Sequence, residues 1–287
     1  MKFTPLLSLG LAIVLWSCGG EEQPANQVDI SEEALSEDAQ EETGKKVSDM
    51  ADFKFHTMVA NLPSPLETFH IIEGHDFELS SAALTPTDKA GELSTVSAKA
   101  YGYGVYMIDM GCMAYNHQNH QTLDYSQVCR NLASDLGAGD VFDRTIAQDF
   151  EENTSSEEQF VRMMNDAFDA MDQYMVDNER FVNATEIFVG SWVETQLIAT
   201  RMLKGKELDD NTRPLYQGIY SQKVHTSNLM NVLGEIDQEI EPDVVNAVED
   251  IMMFYAGFST VESISQEDIS NLDAKLMTLK NLLMGMG

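Results

Sequence analysis

Beyond about position 60, apolar residues recur at three- and four-residue intervals, the period of helices that bury one face. The clearest case is 155–177. There Phe160, Met163, Met164, Ala167, Phe168, Met171, Tyr174 and Met175 form one stripe, and Arg162, Asp166, Asp169, Asp172 and Asp177 lie opposite. Ser155 and Glu158 have the spacing of a capping box at its start. Val244, Val245, Val248, Ile251, Met252 and Tyr255 predict another helix, opened by Pro242, and Pro214 sits in a first turn after Asp210-Asn211-Thr212. Ser265 and Asp268 cap a last helix whose inner side is Ile269, Leu272, Leu276, Leu279 and Leu283. Near the start of the pattern, Ser64, Pro65 and Glu67 open a helix that Gly74 closes. Only 52–60, DFKFHTMVA, alternates like a strand, and a lone strand finds no sheet to join. The expected fold over 53–287 is all-α: one domain of about eight helices in an antiparallel, bundle-like array.

Two segments break the one-sided pattern. Residues 95–115, TVSAKAYGYGVYMIDMGCMAY, carry Gly102, Gly104 and Gly111 inside a helical run, and 187–203, IFVGSWVETQLIATRML, carry Gly190 and Ser191. Glycine inside a helix costs about 1 kcal/mol relative to alanine, so its repeated use points to close helix contact. Both segments are apolar nearly all round and are expected to be the central helices.

Each central helix holds one carboxylate, Asp109 in the first and Glu194 in the second. A buried carboxylate must be hydrogen-bonded, paired or protonated. A polar pocket between the two helices, formed by Asp109, Glu194, Asn116 and Tyr106, is the candidate ligand site. The competing reading is a satisfied internal network that fixes helix packing, and it is the favoured one because such networks are the usual fate of buried polar groups. His117 and His120 end the first central helix, but no HExxH, CxxC or convergent His/Asp set accompanies them, so a polar turn explains them better than a metal site. No nucleophile elbow, phosphate loop or dinucleotide fingerprint is present, so no catalytic residue, metal or cofactor is assigned.

The N-terminus carries a different signal. Lys2 precedes an apolar run over 6–16 that leads into Leu15-Trp16-Ser17-Cys18. This is a secretory signal (1–17) too short to span a bilayer and ending at a cysteine, the expected point of lipid attachment. Residues 18–52 contain eleven acidic side chains, two lysines and few apolar ones, the composition of a disordered, self-repelling tether. The chain as a whole has 48 acidic against 17 basic side chains, a formal charge of −31 that repels phosphate backbones and excludes nucleic-acid binding. With Cys18 lipidated, Cys112 and Cys129 are left to form one bridge or to stand as two buried thiols, which rules out a disulfide scaffold.

Residues 99–111 (KAYGYGVYMIDMG), 165–180 (NDAFDAMDQYMVDNER) and 190–200 (GSWVETQLIAT) resemble a family of helical lipoproteins of Bacteroidota that has no established activity. The similarity spans roughly 60–205, and its motifs are not catalytic signatures. It implies location: lipoproteins of that phylum with acidic residues soon after the cysteine, as in Cys18-Gly-Gly-Glu-Glu-Gln23, are often sent to the outer membrane. The sequence therefore leads to a lipid-anchored cell-envelope protein that binds or interacts, held to the membrane at Cys18. The alternatives are an envelope hydrolase or metal-dependent enzyme with its site between the helices of Asp109 and Glu194, and a structural or assembly lipoprotein. Limited proteolysis is expected to cut within 19–52 and leave a stable core beginning near Asp52 or Phe53. Protection of 19–52 would show that the segment docks on the domain.

Overall fold

The structure is a computed structural model and describes residues 83–147, 157–236 and 240–285. The strand-like stretch at 52–60, the helix expected from Ser64, the signal, the tether and Ser155 lie outside the described residues. The described chain is all-helical, as the spacing of its apolar residues predicts. A 3-10 turn at Thr87–Glu92 precedes seven long helices: α1 (Val96–Tyr115), α2 (Asn119–Asp135), α3 (Glu157–Asp177), α4 (Phe181–Leu203), α5 (Arg213–Glu235), α6 (Pro242–Ala256) and α7 (Gln266–Leu283). Short helical turns at Gly139–Phe142 and Asp143–Ala147 follow α2, and a further 3-10 turn at Val261–Ser263 precedes α7.

Local chemistry sets these boundaries. The Thr95 hydroxyl accepts from the Ala98 N–H and caps α1. Ser265 and Asp268 close the predicted box at α7: the Asp268 N–H donates to the Ser265 hydroxyl, and the Ser265 N–H donates to the Asp268 carboxylate at 2.9 Å. Pro214 and Pro242 occupy the first turns of α5 and α6, where a missing N–H costs nothing. His117 takes φ 55° in the short connection from α1 to α2, which reverses the chain so that the two helices pack side by side. On α3, Met163, Met164, Ala167, Met171 and Met175 are buried, while Arg162, Asp166, Asp169 and Asp177 face solvent.

α1 and α4 form the centre, as their all-round apolar character predicts, and α1 is continuously buried from Ala100 to Met113. Their glycines explain how closely they approach. A Cβ on Gly104 would stand 2.1 Å from the Ile187 carbonyl oxygen and 2.7 Å from the Ser191 nitrogen. A Cβ on Gly190 would stand 2.0 Å from the Tyr101 carbonyl oxygen. Each glycine is thus the notch into which the other helix's backbone fits. Gly102 has a separate role, since a Cβ there would meet the Leu93 side chain at 2.4 Å. It seats the segment that enters α1. α2 packs on α1, and α3, α5 and α7 pack on α4, with α6 completing the array against α5 and α7.

Because a backbone cannot yield as a side-chain tip does, Gly104→Ala and Gly190→Ala should each destabilise the protein by about 3 kcal/mol or more in chemical denaturation. Gly234→Ala in α5, where a new Cβ meets nothing within 4 Å, should instead stabilise it by about 0.5 kcal/mol. Equal effects at the three sites would refute the notch.

Candidate functional site

The two carboxylates of the central helices meet in the core, and a third charged group joins them. Asp109 and Glu194 are both 0 % exposed, and Lys280 of α7 is only 4 % exposed with its ammonium against Glu194 Oε2. The carboxyl of Asp109 lies within hydrogen-bonding reach of Glu194, and its Oδ2 accepts the Thr85 N–H at 3.0 Å. Among the described residues, Asp109 Oδ1 and both Glu194 oxygens are buried without a hydrogen bond, and Oε2 is held by Lys280 as an ion pair alone. Two carboxylates and one ammonium leave a net negative charge in a dry interior, which costs several kcal/mol. One proton resolves this. Burial pushes the Asp109 acid well above the ordinary carboxylate range and the adjacent Glu194 charge pushes it further, outweighing Lys280 and the Thr85 side chain, which act the other way. A protonated Asp109 makes the triad neutral and supplies the donor that the carboxyl pair lacks.

A strap seals the triad. The Arg201 guanidinium donates to the Ala83 carbonyl, the Tyr125 hydroxyl donates to the Thr85 carbonyl at 2.8 Å, and the Tyr106 hydroxyl donates to the Pro86 carbonyl at 3.0 Å. Leu84 and Thr85 are buried under these bonds. The rings of Tyr106 and Tyr125 lie 6.2 Å apart, and burial raises both phenols far out of any physiological titration. Arg201 also pairs with Asp273 at 3.4 Å, a second polar link between α4 and α7.

Of the four residues expected to form a pocket, the structure joins Asp109 and Glu194, and it places Tyr106 one turn away, holding the strap. Asn116 is the C-cap of α1, and its amide donates to the Cys112 carbonyl at 2.7 Å. Lys280 and the strap residue Thr85 were not expected from the sequence. A signal for Lys280 existed: it lies four residues after Leu276 and three before Leu283, on the edge of the α7 stripe. Thr85 left none, because its contact is made by backbone.

Other candidates carry less. Cys112 and Cys129 are free buried thiols, and burial raises both above the ordinary thiol range, the opposite of activation. His117 and His120 are exposed, with His120 3.4 Å from Asp124. Among the described residues no three His, Cys, Asp or Glu side chains are placed to hold a metal ion, and no helix is long and apolar enough to cross a membrane. An open hollow of about 280 Å³ beside the Arg130–Asp143 pair is lined by α2 and the Gly139–Asp143 turn, on the surface and not at the triad. Compared with known proteins, the chain matches no family model, no curated protein and no solved structure. What the fold and the site define is an all-α array built around a sealed acid–acid–base triad.

The proton on Asp109 has a measurable consequence. Its folded value lies above the ordinary 3.8, so its contribution to stability is complete below that pH and declines as pH rises, because the unfolded chain releases a proton that the folded chain keeps. The decline approaches about 1.4 kcal/mol per pH unit. Asp109→Asn removes it. Denaturation of both proteins from pH 4 to pH 8 should show the variant gaining on the wild type as pH rises, whereas parallel profiles would mean that Asp109 is ionised in the core.

Proposed function

We propose that the protein is a lipid-anchored component of the bacterial cell envelope that acts by binding or interaction, without catalysis on an external substrate. The observation that carries this reading is the apolar segment over 6–16 ending at Cys18, followed by an acidic, apolar-poor stretch suited to hold a folded domain away from a membrane. The resemblance to helical lipoproteins of Bacteroidota supports the same address, with the outer membrane as the destination. Several acyl chains at about 0.8 kcal/mol per buried methylene give an attachment that does not reverse.

The interior supports interaction over catalysis. Catalysis needs a substrate to reach the reacting groups, and the three charged groups that would perform acid–base work are closed off by the strap and by α7. Work on a partner therefore falls to the outer surface. The large exposed apolar side chains Val96, Leu123, Val224, Met253 and Leu282 stand on five different helices, so none of those helices presents a row of them. The surface is dominated by carboxylates, whose field favours a cationic partner and disfavours nucleic acid and anionic headgroups.

In its native cells, Cys18→Ser should abolish partitioning of the protein into the detergent phase and incorporation of a labelled fatty acid, while leaving the fold intact. A variant that still partitions would remove the basis for the anchor.

A further inference from the structure

We propose that Lys280 and Glu194 join covalently in the folded protein, through an intramolecular amide between Lys280 Nζ and Glu194 Cδ, with Asp109 as the catalytic acid and base. Three observations carry this. The ammonium is in contact with the carboxylate, and both are held by helices packed in one core, α7 against α4. Neither group meets bulk water, with exposures of 4 % and 0 %. A second carboxyl, Asp109, lies within hydrogen-bonding reach of the same Glu194 and is fixed on its other side by the Thr85 N–H. An ordinary buried ion pair has the first two features and lacks the third, and amide formation needs the third.

The reaction is a condensation that consumes nothing else. A proton passes from the Lys280 ammonium to the carboxyl pair, which leaves a neutral amine beside a neutral acid. The amine lone pair attacks Glu194 Cδ, and the Asp109 proton is donated to the oxygen that gains charge in the tetrahedral intermediate. Asp109 then takes the extra proton from nitrogen and delivers it to the departing hydroxyl. The C–O bond breaks, one water leaves, and the proton still held by the remaining oxygen passes to Asp109 as the amide carbonyl forms, so that Asp109 ends protonated as it began. Overall, one ammonium and one carboxylate become one amide and one water. A carboxyl whose pKa burial raises well above the ordinary range, as at Asp109, is suited to hold a proton for this transfer.

Two effects favour a step that is unfavourable between free solutes. Fixed contact replaces a bimolecular encounter with an effective molarity of about 10⁵ M or more. The starting state is also raised, because two full charges sit in the core with Glu194 Oε1 lacking a donor, whereas the amide is neutral and its carbonyl can accept from the Asp109 hydroxyl. The bond would tie the middle of α4 to the last turn of α7, so that α7 could not peel away from an anchored, envelope-exposed domain.

The test is peptide mapping of the full-length protein, denatured and digested with trypsin. Bond formation predicts that the peptide 181–201 is recovered joined to 276–287, lighter than the two together by one water and uncut after Lys280. Recovery of 181–201 and 276–280 as separate peptides of unmodified mass would overturn the proposal. Lys280→Arg should yield no linked peptide, and a linked species of the same mass loss in that variant would place the bond elsewhere and refute this one. Asp109→Asn, which keeps the size and the Thr85 contact, should lower the linked fraction formed per unit time by about 100-fold. Linkage at the wild-type rate in a folded Asp109→Asn protein would refute the role given to Asp109.

Discussion

The removal of Asp109, Glu194 and Lys280 from water is the constraint on which the rest of this structure depends. Each ion taken from water costs several kcal/mol even after relaxation, so none of the three is tolerable alone. Their positions answer that cost jointly: Lys280 meets Glu194, Asp109 meets Glu194, and the Thr85 N–H meets Asp109. Those four residues belong to α7, α4, α1 and the strap. The arrangement of four separate pieces of chain is therefore set by the neutrality of one buried point, and a packing that displaced any of them would strand a charge.

α4 extends the same logic along its length. Glu194 reaches α7, the Trp192 indole donates to Gln222 of α5 at 3.0 Å, and Gln196 accepts from the Tyr255 hydroxyl of α6 at 3.2 Å. Glu186, nearly fully buried, accepts from Asn183 at 2.7 Å and is held by Ser97 at the start of α1, although burial still raises its pKa. Apolar contacts alone would let neighbouring helices slide or exchange places at small cost, because one leucine replaces another. A different polar address for each neighbour removes that freedom, since a wrong neighbour leaves a buried donor or acceptor without a partner. The glycine notches add the axial register: with the Ile187 and Tyr101 carbonyls seated at Gly104 and Gly190, α1 and α4 cannot shift by a turn.

Much of this was legible in the sequence because it is local. The stripe of α3, the cap of α7 and the first-turn prolines depend on spacing within a dozen residues. The glycines of α1 and α4, expensive in a helix, announced close contact because no local benefit offsets their cost. The pairing of Asp109 with Glu194 was half legible: both stood alone in apolar helices, so each required a partner, but the sequence did not say that they required the same one. The signal for Lys280, its place on the edge of the α7 stripe, was outweighed by its surroundings. Its neighbours in α7 are Leu279 and Asn281, and a lysine near a helix C-terminus has an ordinary explanation in the helix dipole and in solvent. The strap was hidden for another reason. Its carbonyls and one N–H make the contacts, and backbone groups are the same at every position.

The strap and α7 stand at opposite ends of the described chain, yet both close on the same pair of side chains. Thr85 secures Asp109 and Lys280 secures Glu194, while Arg201 reaches the Ala83 carbonyl on one side and Asp273 on the other. As long as Lys280 and Glu194 remain an ion pair, fraying of α7 strips Glu194 of its counter-ion and changes the best site for the shared proton, which weakens the hold of Asp109 on the strap. If the strap lifts, Asp109 loses its N–H donor and water reaches the ion pair that secures α7. The strap and α7 thus each raise the cost of releasing the other, and opening becomes cooperative across elements far apart in the described chain. A C-terminal helix ordinarily frays first. Here α7 is tied through one neutral, buried cluster to the strap far from it in sequence, which explains why a strongly acidic protein places three ionisable groups where an apolar core would have been simpler.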